Sequence, residues 1–145
     1  MKVLFIEDNP QKLKQVSDFL KQQYSNIELT IRKSYNSGLR ELIKNDSYKL
    51  ILLDMSLPNY DIEPGESGGD FEKFAGKFLL SEMYRRDIIT KVLIITMYLN
   101  YVDEEFSLEL KDNFPNYLGV VYYNVKEPDG WKNELKSKID NIDIC

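Results

Sequence analysis

The 145-residue chain contains no histidine and one cysteine, Cys145, its last residue. Without histidine there is no imidazole base, no Ser–His–Asp or Cys–His pair and no histidine metal ligand. With one cysteine there is no internal disulfide and no thiolate zinc or iron–sulfur centre. Any metal must be a hard cation held by oxygen, and any nucleophile a carboxylate, hydroxyl or amine. Long apolar runs are also missing. Leu50–Leu53 and Val92–Ile95 are far short of the roughly 20 residues that cross a bilayer, and Met1–Ile6 runs at once into Glu7 and Asp8, too short for a signal-peptide core. An excess of positive charge is absent as well: 19 basic against 24 acidic residues give −5. This balance argues against a general nucleic-acid or membrane-surface binder. A reducing, cytoplasmic setting is the natural expectation.

What is present is the composition of one globular domain, 43% hydrophobic and 30% charged. Short aliphatic runs alternate with amphipathic stretches. Val3–Ile6, Ile27–Ile31, Leu50–Leu53, Val92–Ile95 and Val120–Tyr123 read as five strands. The first, third and fourth are apolar on both faces, as strands covered by helices on both sides are; the second alternates, which suits a sheet edge. Between them lie helical periods. Asn9 caps and Pro10 opens a first helix with Leu13, Val16, Phe19 and Leu20 on one face. Leu39, Leu42 and Ile43 mark a second. Phe71, Phe74, Ala75, Phe78 and Leu79 mark a third, Val102, Phe106 and Leu110 a fourth, and Trp131, Leu135, Ile139 and Ile142 a fifth. Strict βα alternation predicts a parallel α/β sheet with helices on both faces. One segment breaks the rhythm. Met55–Gly69, with Pro58, Pro64, Gly65, Gly68 and Gly69, is much longer than the usual βα loop of about 2–6 residues. It reads as a solvated insertion, with a lid or partner contact as the functional alternative.

Ligands of an open parallel sheet sit beyond the carboxyl ends of its strands. The residues there are Glu7 and Asp8, Asp54, Thr96 and, near the last strand, Lys126. Clustered carboxylates repel unless a hard cation lies among them, and Mg²⁺ suits one or two carboxylates plus water. A carboxylate so neutralised can take a phosphoryl group as an acyl phosphate, with a hydroxyl and an ammonium as donor and counter-charge.

The ordered set Glu7-Asp8-Asn9-Pro10, Leu52-Leu53-Asp54-Met55-Ser56-Leu57-Pro58 and Ile94-Ile95-Thr96 resembles the receiver domain of bacterial two-component response regulators, over essentially the whole chain. The resemblance implies a flavodoxin-like (βα)5 fold, a doubly wound five-stranded sheet in the order 2-1-3-4-5, forming a single domain over 1–145 with an extended loop at about 55–69. It implies Asp54 as phosphoacceptor, Glu7 and Asp8 as the acidic pair that helps hold Mg²⁺, and the main-chain carbonyl of Ser56 as a further Mg²⁺ ligand. Thr96 is then the switch hydroxyl, Lys126 the family's lysine and Tyr123 the aromatic switch residue. The implied partners are a sensor histidine kinase or a His-phosphotransfer protein upstream, and an effector protein or a second copy downstream. A stand-alone, non-enzymatic signalling domain without a DNA-binding part is expected, cytoplasmic and without direct nucleic-acid or membrane contact.

Three departures stand out. The family's lysine is followed directly by proline, whereas Glu127 here precedes Pro128. The small residue after the switch hydroxyl is Met97, which is expected to narrow access to the phosphoryl group and slow its hydrolysis. The loop after Asp54 is long. Tyr98, Tyr101, Tyr117, Tyr122 and Tyr123 surround the last two βα units, where receivers make dimer or output contacts. The alternative reading is a degenerate receiver working as a phosphorylation-independent interaction module. An aspartyl phosphatase of the haloacid-dehalogenase kind fits worse, because Ser56 stands where its second aspartate belongs. A flavodoxin fits worse too, because Glu7 and Asp8 would repel a phosphate.

Overall fold

A computed structural model describes residues 1–45, 47–61, 71–97 and 102–144. Seven strands are described: β1 (Lys2–Ile6), β2 (Glu28–Arg32), β3 (Leu50–Leu53), β4 (Leu57–Pro58), β5 (Phe71–Glu72), β6 (Lys91–Thr96) and β7 (Tyr117–Tyr122). Five α-helices lie among them: α1 (Pro10–Gln23), α2 (Tyr35–Lys44), α3 (Ala75–Arg85), α4 (Glu104–Asn113) and α5 (Pro128–Asp140). A 3₁₀ turn over Asn141–Ile144 follows α5. The main sheet has the order β2-β1-β3-β6-β7, all parallel. This is the expected doubly wound α/β arrangement.

Strand alternation divides the core into two layers. Val3, Phe5, Leu50, Leu52, Leu93, Ile95 and Val121 point toward α1 and α5. Leu4, Ile6, Ile51, Leu53, Val92 and Ile94 point toward α2, α3 and α4. Every residue of β3 is buried, while β2 is only partly covered, as an edge strand should be. Burial of these aliphatic side chains contributes about 1.5–3 kcal/mol each before the entropy of ordering is counted.

Helix starts follow the local chemistry. The Asn9 side chain accepts from the Lys12 amide at 3.0 Å, and Pro10 supplies a preset φ where no amide donor is needed. Ser34 and Ser37 form a reciprocal capping box on α2.

Three expectations shift. The last strand begins at Tyr117 rather than Val120: Tyr117 and Gly119 pair with consecutive Val92 and Leu93, which leaves Leu118 as the extra residue of a bulge, and Gly119 there takes φ 128, a conformation L side chains rarely adopt. The third helix begins at Ala75. Phe71 lies in β5, paired with Pro58 in a short antiparallel ladder, so the chain reaches the helix too late to include it. The face α3 turns inward is Ala75, Leu79, Leu80 and Met83, which leaves Phe78 44% exposed. Finally, Met55, Ser56, Leu57 and Pro58 are buried rather than solvated, so the long loop departs from inside the core. Residues 62–70, with Pro64 and the glycines, lie outside the described residues, as do Tyr98 and Tyr101.

Candidate phosphoacceptor site

The register Ile6–Leu53–Ile94 runs straight across the three central strands. The next residue of each, Glu7, Asp54 and Ile95, therefore meets at the carboxyl edge of the sheet. One ammonium joins all three. Lys12 Nζ lies 2.6 Å from Glu7 Oε1, 3.1 Å from Asp54 Oδ2 and 2.5 Å from the Ile95 carbonyl oxygen, to which it donates. Its side chain is fully buried. Five of the eight buried polar or charged residues described, Glu7, Lys12, Asp54, Ser56 and Thr96, lie at this edge. Buried charge is costly unless paired, so such a concentration marks a functional site more than a structural one.

Glu7 is ion-paired through one oxygen, which has no hydrogen-bond partner among the described residues, and hydrogen-bonded through the other. Besides the ammonium on Oε1, its Oε2 accepts from the amides of Asp8 and Asn9, each at 3.1 Å. Burial is nonetheless the larger influence and, with Asp54 nearby, lifts Glu7 to about 7 against the pull of Lys12. Asp8 is half-buried, and burial raises it too. Asp54 presents a different face: Oδ2 meets Lys12, while Oδ1 is buried with no hydrogen-bond partner among the described residues. The Ser56 hydroxyl is also buried without a partner. A buried carboxylate oxygen left open in this way costs stability. It is the atom a cation or an incoming electrophile would satisfy.

Thr96 ends β6, fully buried, and its carbonyl accepts from the Tyr123 amide at 2.8 Å. The Tyr123 ring is 1% exposed, lies 6.0 Å from Lys12 Nζ and donates its hydroxyl to Gln15, one turn beyond Lys12 on α1. Met97 packs against the layer containing Tyr123 and Trp131. Tyr117 is buried and Tyr122 is 38% exposed.

Lys126 is not brought to the cluster. It is exposed, in a turn where its amide donates to the Asn124 side chain at 3.0 Å and the Glu127 amide to the Asn124 carbonyl at 3.2 Å. The extra Glu127 before Pro128 lengthens this turn.

Lys12 was not singled out by the sequence reading, although a signal existed. It stands four residues before Val16 and eight before Leu20, within the apolar face of α1 and in the helix turn nearest the carboxyl edge. A lysine there is misplaced for solvent and well placed for a carboxylate.

Known proteins resemble this chain in sequence and in fold. Residues aligned with the uncharacterised protein y4jR of Sinorhizobium fredii are 31% identical over 154 positions, covering 99% of each chain. The Detocs response regulatory protein DtcB of Enterobacter cloacae is 28% identical, over 98% of this chain and 100% of that one. Among solved structures, the response regulator receiver domain protein of Clostridium thermocellum superposes with a TM-score of 0.69 at 19% identity, over 97% of this chain and 92% of the other. Response regulator TrrA of Thermotoga maritima, solved with Mg²⁺-BeF, gives 0.62 at 17% identity over 97% of each chain. The chain has the fold of response-regulator receiver domains. No family model matches it. Within the receiver fold, β3 is the central strand, and Asp54 stands directly after it at the edge where the acidic residues of β1 and the hydroxyl of β6 also end. No described helix is long and apolar enough to cross a membrane.

Proposed function

We propose that this receiver accepts a phosphoryl group on Asp54 from a partner histidine kinase or His-phosphotransfer protein, and so switches its binding to a downstream protein or a second copy. The observation that carries this reading is the divided state of the Asp54 carboxylate, buried, with one oxygen on an ammonium and the other open.

The donor set fits Mg²⁺. Glu7 is occupied by Lys12 and two amides, and no group of three carboxylates among the described residues is arranged to hold a metal by itself. Asp8, the open oxygen of Asp54 and the Ser56 carbonyl remain, and Mg²⁺ is commonly held by one or two carboxylates with water completing the shell. With Glu7 set against Lys12, the carboxylates of Asp8 and Asp54 are left for one divalent cation to balance. When bound, the cation supplies neutralisation that lets a phosphoryl group approach the acidic cluster. The chain's own groups do the rest. An Asp54 oxygen forms the new P–O bond as the donor's P–N bond breaks, and the departing electron pair returns to the donor imidazole. Thr96, at the end of the adjacent strand, offers a hydroxyl to the new phosphoryl oxygens. Its carbonyl holds the Tyr123 amide, so a shift at Thr96 is felt at Tyr123 and the packing around it. Glu7 acts indirectly, by anchoring Lys12. A cytoplasmic location accords with a kinase or phosphotransfer donor.

Incubation with acetyl phosphate and Mg²⁺, read by intact mass, is expected to add one phosphoryl group to the wild-type chain and none to Asp54→Asn. Absence of any gain in the wild type would leave the interaction-module reading in its place.

A further inference from the structure

We infer that the cation serving the phosphoryl group in this receiver is Lys12, supplied by the first turn of α1, and not a lysine from the end of the last strand. The inference rests on the phosphoacceptor reading of Asp54 and concerns which chain segment completes that site.

Two lysines compete for the role. Lys126 follows β7 by four residues, but the Asn124–Glu127 turn leaves it exposed. Lys12 is fully buried and reaches Asp54 Oδ2 at 3.1 Å with the Ile95 carbonyl at 2.5 Å and Glu7 at 2.6 Å as anchors. The contact to the Ile95 carbonyl is a hydrogen bond, and those to the Glu7 and Asp54 carboxylates are ion pairs. An anion arriving on Asp54 therefore finds Lys12 already at the carboxylate and gains a charge-assisted bond when the ammonium turns toward it. The same rearrangement loosens the bond to Ile95, the residue immediately before Thr96. It also alters the α1 turn that carries Gln15, the acceptor for the Tyr123 hydroxyl. Helix α1 thus becomes part of the switch.

The chain has one tryptophan, Trp131, with its ring 5.1 Å from that of Tyr123, which makes its fluorescence a reporter of this region. The experiment titrates Mg²⁺ alone, then beryllofluoride at saturating Mg²⁺, into wild type, Lys12→Met, Lys12→Arg and Lys126→Met. A counter-charge has opposite effects on the two ligands. In Lys12→Met, Mg²⁺ is expected to bind as tightly as in wild type or tighter, and beryllofluoride about tenfold weaker or more. Lys12→Arg is expected to recover part of the loss, and Lys126→Met to match wild type. Should Lys12→Met leave two unbalanced carboxylates and fail to fold, Lys12→Met/Glu7→Gln removes a negative charge with the positive one and is expected to show the same beryllofluoride defect. Beryllofluoride binding retained in Lys12→Met or the double variant, or lost in Lys126→Met, overturns the inference while leaving Asp54 as acceptor. Equal weakening of both ligands in Lys12→Met overturns it in favour of a structural role. A wild type that does not respond to beryllofluoride overturns the phosphoacceptor reading and this inference together.

Discussion

The two layers of the core differ in kind. On the α1/α5 side the sheet is covered by rings: Phe19 meets Trp131 edge-on at 5.5 Å, Tyr123 meets Trp131 at 5.1 Å, and Phe5 is fully buried among them. On the α2–α3–α4 side the strand residues meet aliphatic and sulfur-bearing side chains. The rings pair between α3 and α4 instead, Phe74 stacked on Phe106 at 5.7 Å and Tyr84 edge-on to Phe114 at 6.3 Å. Backbone comes close where glycines permit, Gly38 against Ile6 and Gly76 against Met55. The ring layer is tied to the acidic edge through Tyr123, Gln15 and Lys12. The other layer takes in Met55 and Leu57, which follow Asp54. The first is thus linked to the site through side-chain contacts, the second through the chain that continues from it. If that contrast is right, damage to the ring layer is costly and felt at the site, while damage to the other depends on how closely helix and strand approach.

The largest effect is expected from Trp131→Ala. Trp131 is 1% exposed and contacts two aromatic rings, and emptying such a site typically costs about 3–5 kcal/mol. Its indole N–H is buried without a hydrogen-bond partner among the described residues, so Trp131→Phe, which removes that donor, should lose markedly less. Urea unfolding followed by circular dichroism measures both. Equal losses for the two variants would mean that the ring's shape and the N–H matter in some other proportion.

Gly38→Ala probes the opposite layer at intermediate size. A Cβ at position 38 would lie 2.5 Å from Ile6 Cδ1, 2.9 Å from Cγ1 and 3.1 Å from Cγ2. Rotating the end of Ile6 clears only the first of these. Alanine gains about 1 kcal/mol of helix propensity over glycine, and overpacking costs about 1–3 kcal/mol, so a net loss of about 1 kcal/mol is expected. The sharper test is the cycle with Ile6→Val, which removes Cδ1. Positive coupling between the two substitutions locates the strain at this contact, and simple additivity would place it elsewhere.

The contrast also explains what could be read from the sequence. The central strands, their two apolar faces and the core stripes of α1 and α5 follow directly from patterns in Val3–Ile6, Leu50–Leu53, Val92–Ile95 and the spacing of Val16, Phe19, Leu20, Trp131, Leu135 and Ile139, all of which the structure buries. The strand order, by contrast, came with the family resemblance. The acidic residues and Thr96 were legible because they end strands, a position fixed by the same periodicity. Lys12 shows in the sequence as a lysine on the apolar face of α1, which points to a buried acidic partner, but that its contacts are Ile95 and Asp54 is set by tertiary proximity. The start of α3 was misread for a similar reason. Phe71 continues a helical stripe in the sequence, but its backbone is engaged by Pro58, a partner reached only through the fold.

The smallest expected effect tests that last point on neighbouring residues. The stripe Phe71-Phe74-Ala75-Phe78-Leu79 gives Phe78 and Leu79 equal claim to the core, yet Phe78 is 44% exposed and Leu79 is 1% exposed. A helix face is roughly 100° wide, and starting α3 at Ala75 turns it so that Leu79, Leu80 and Met83 point inward and Phe78 lies at the margin. Leu79→Ala should therefore cost about 2–5 kcal/mol, whereas Phe78→Ala, with half its ring in water, should stay within about 0.5–1 kcal/mol of wild type. Thermal and urea unfolding of the pair give the difference directly. A large loss at Phe78 would show that this margin is covered after all, and the contrast between the two layers would then have to be redrawn.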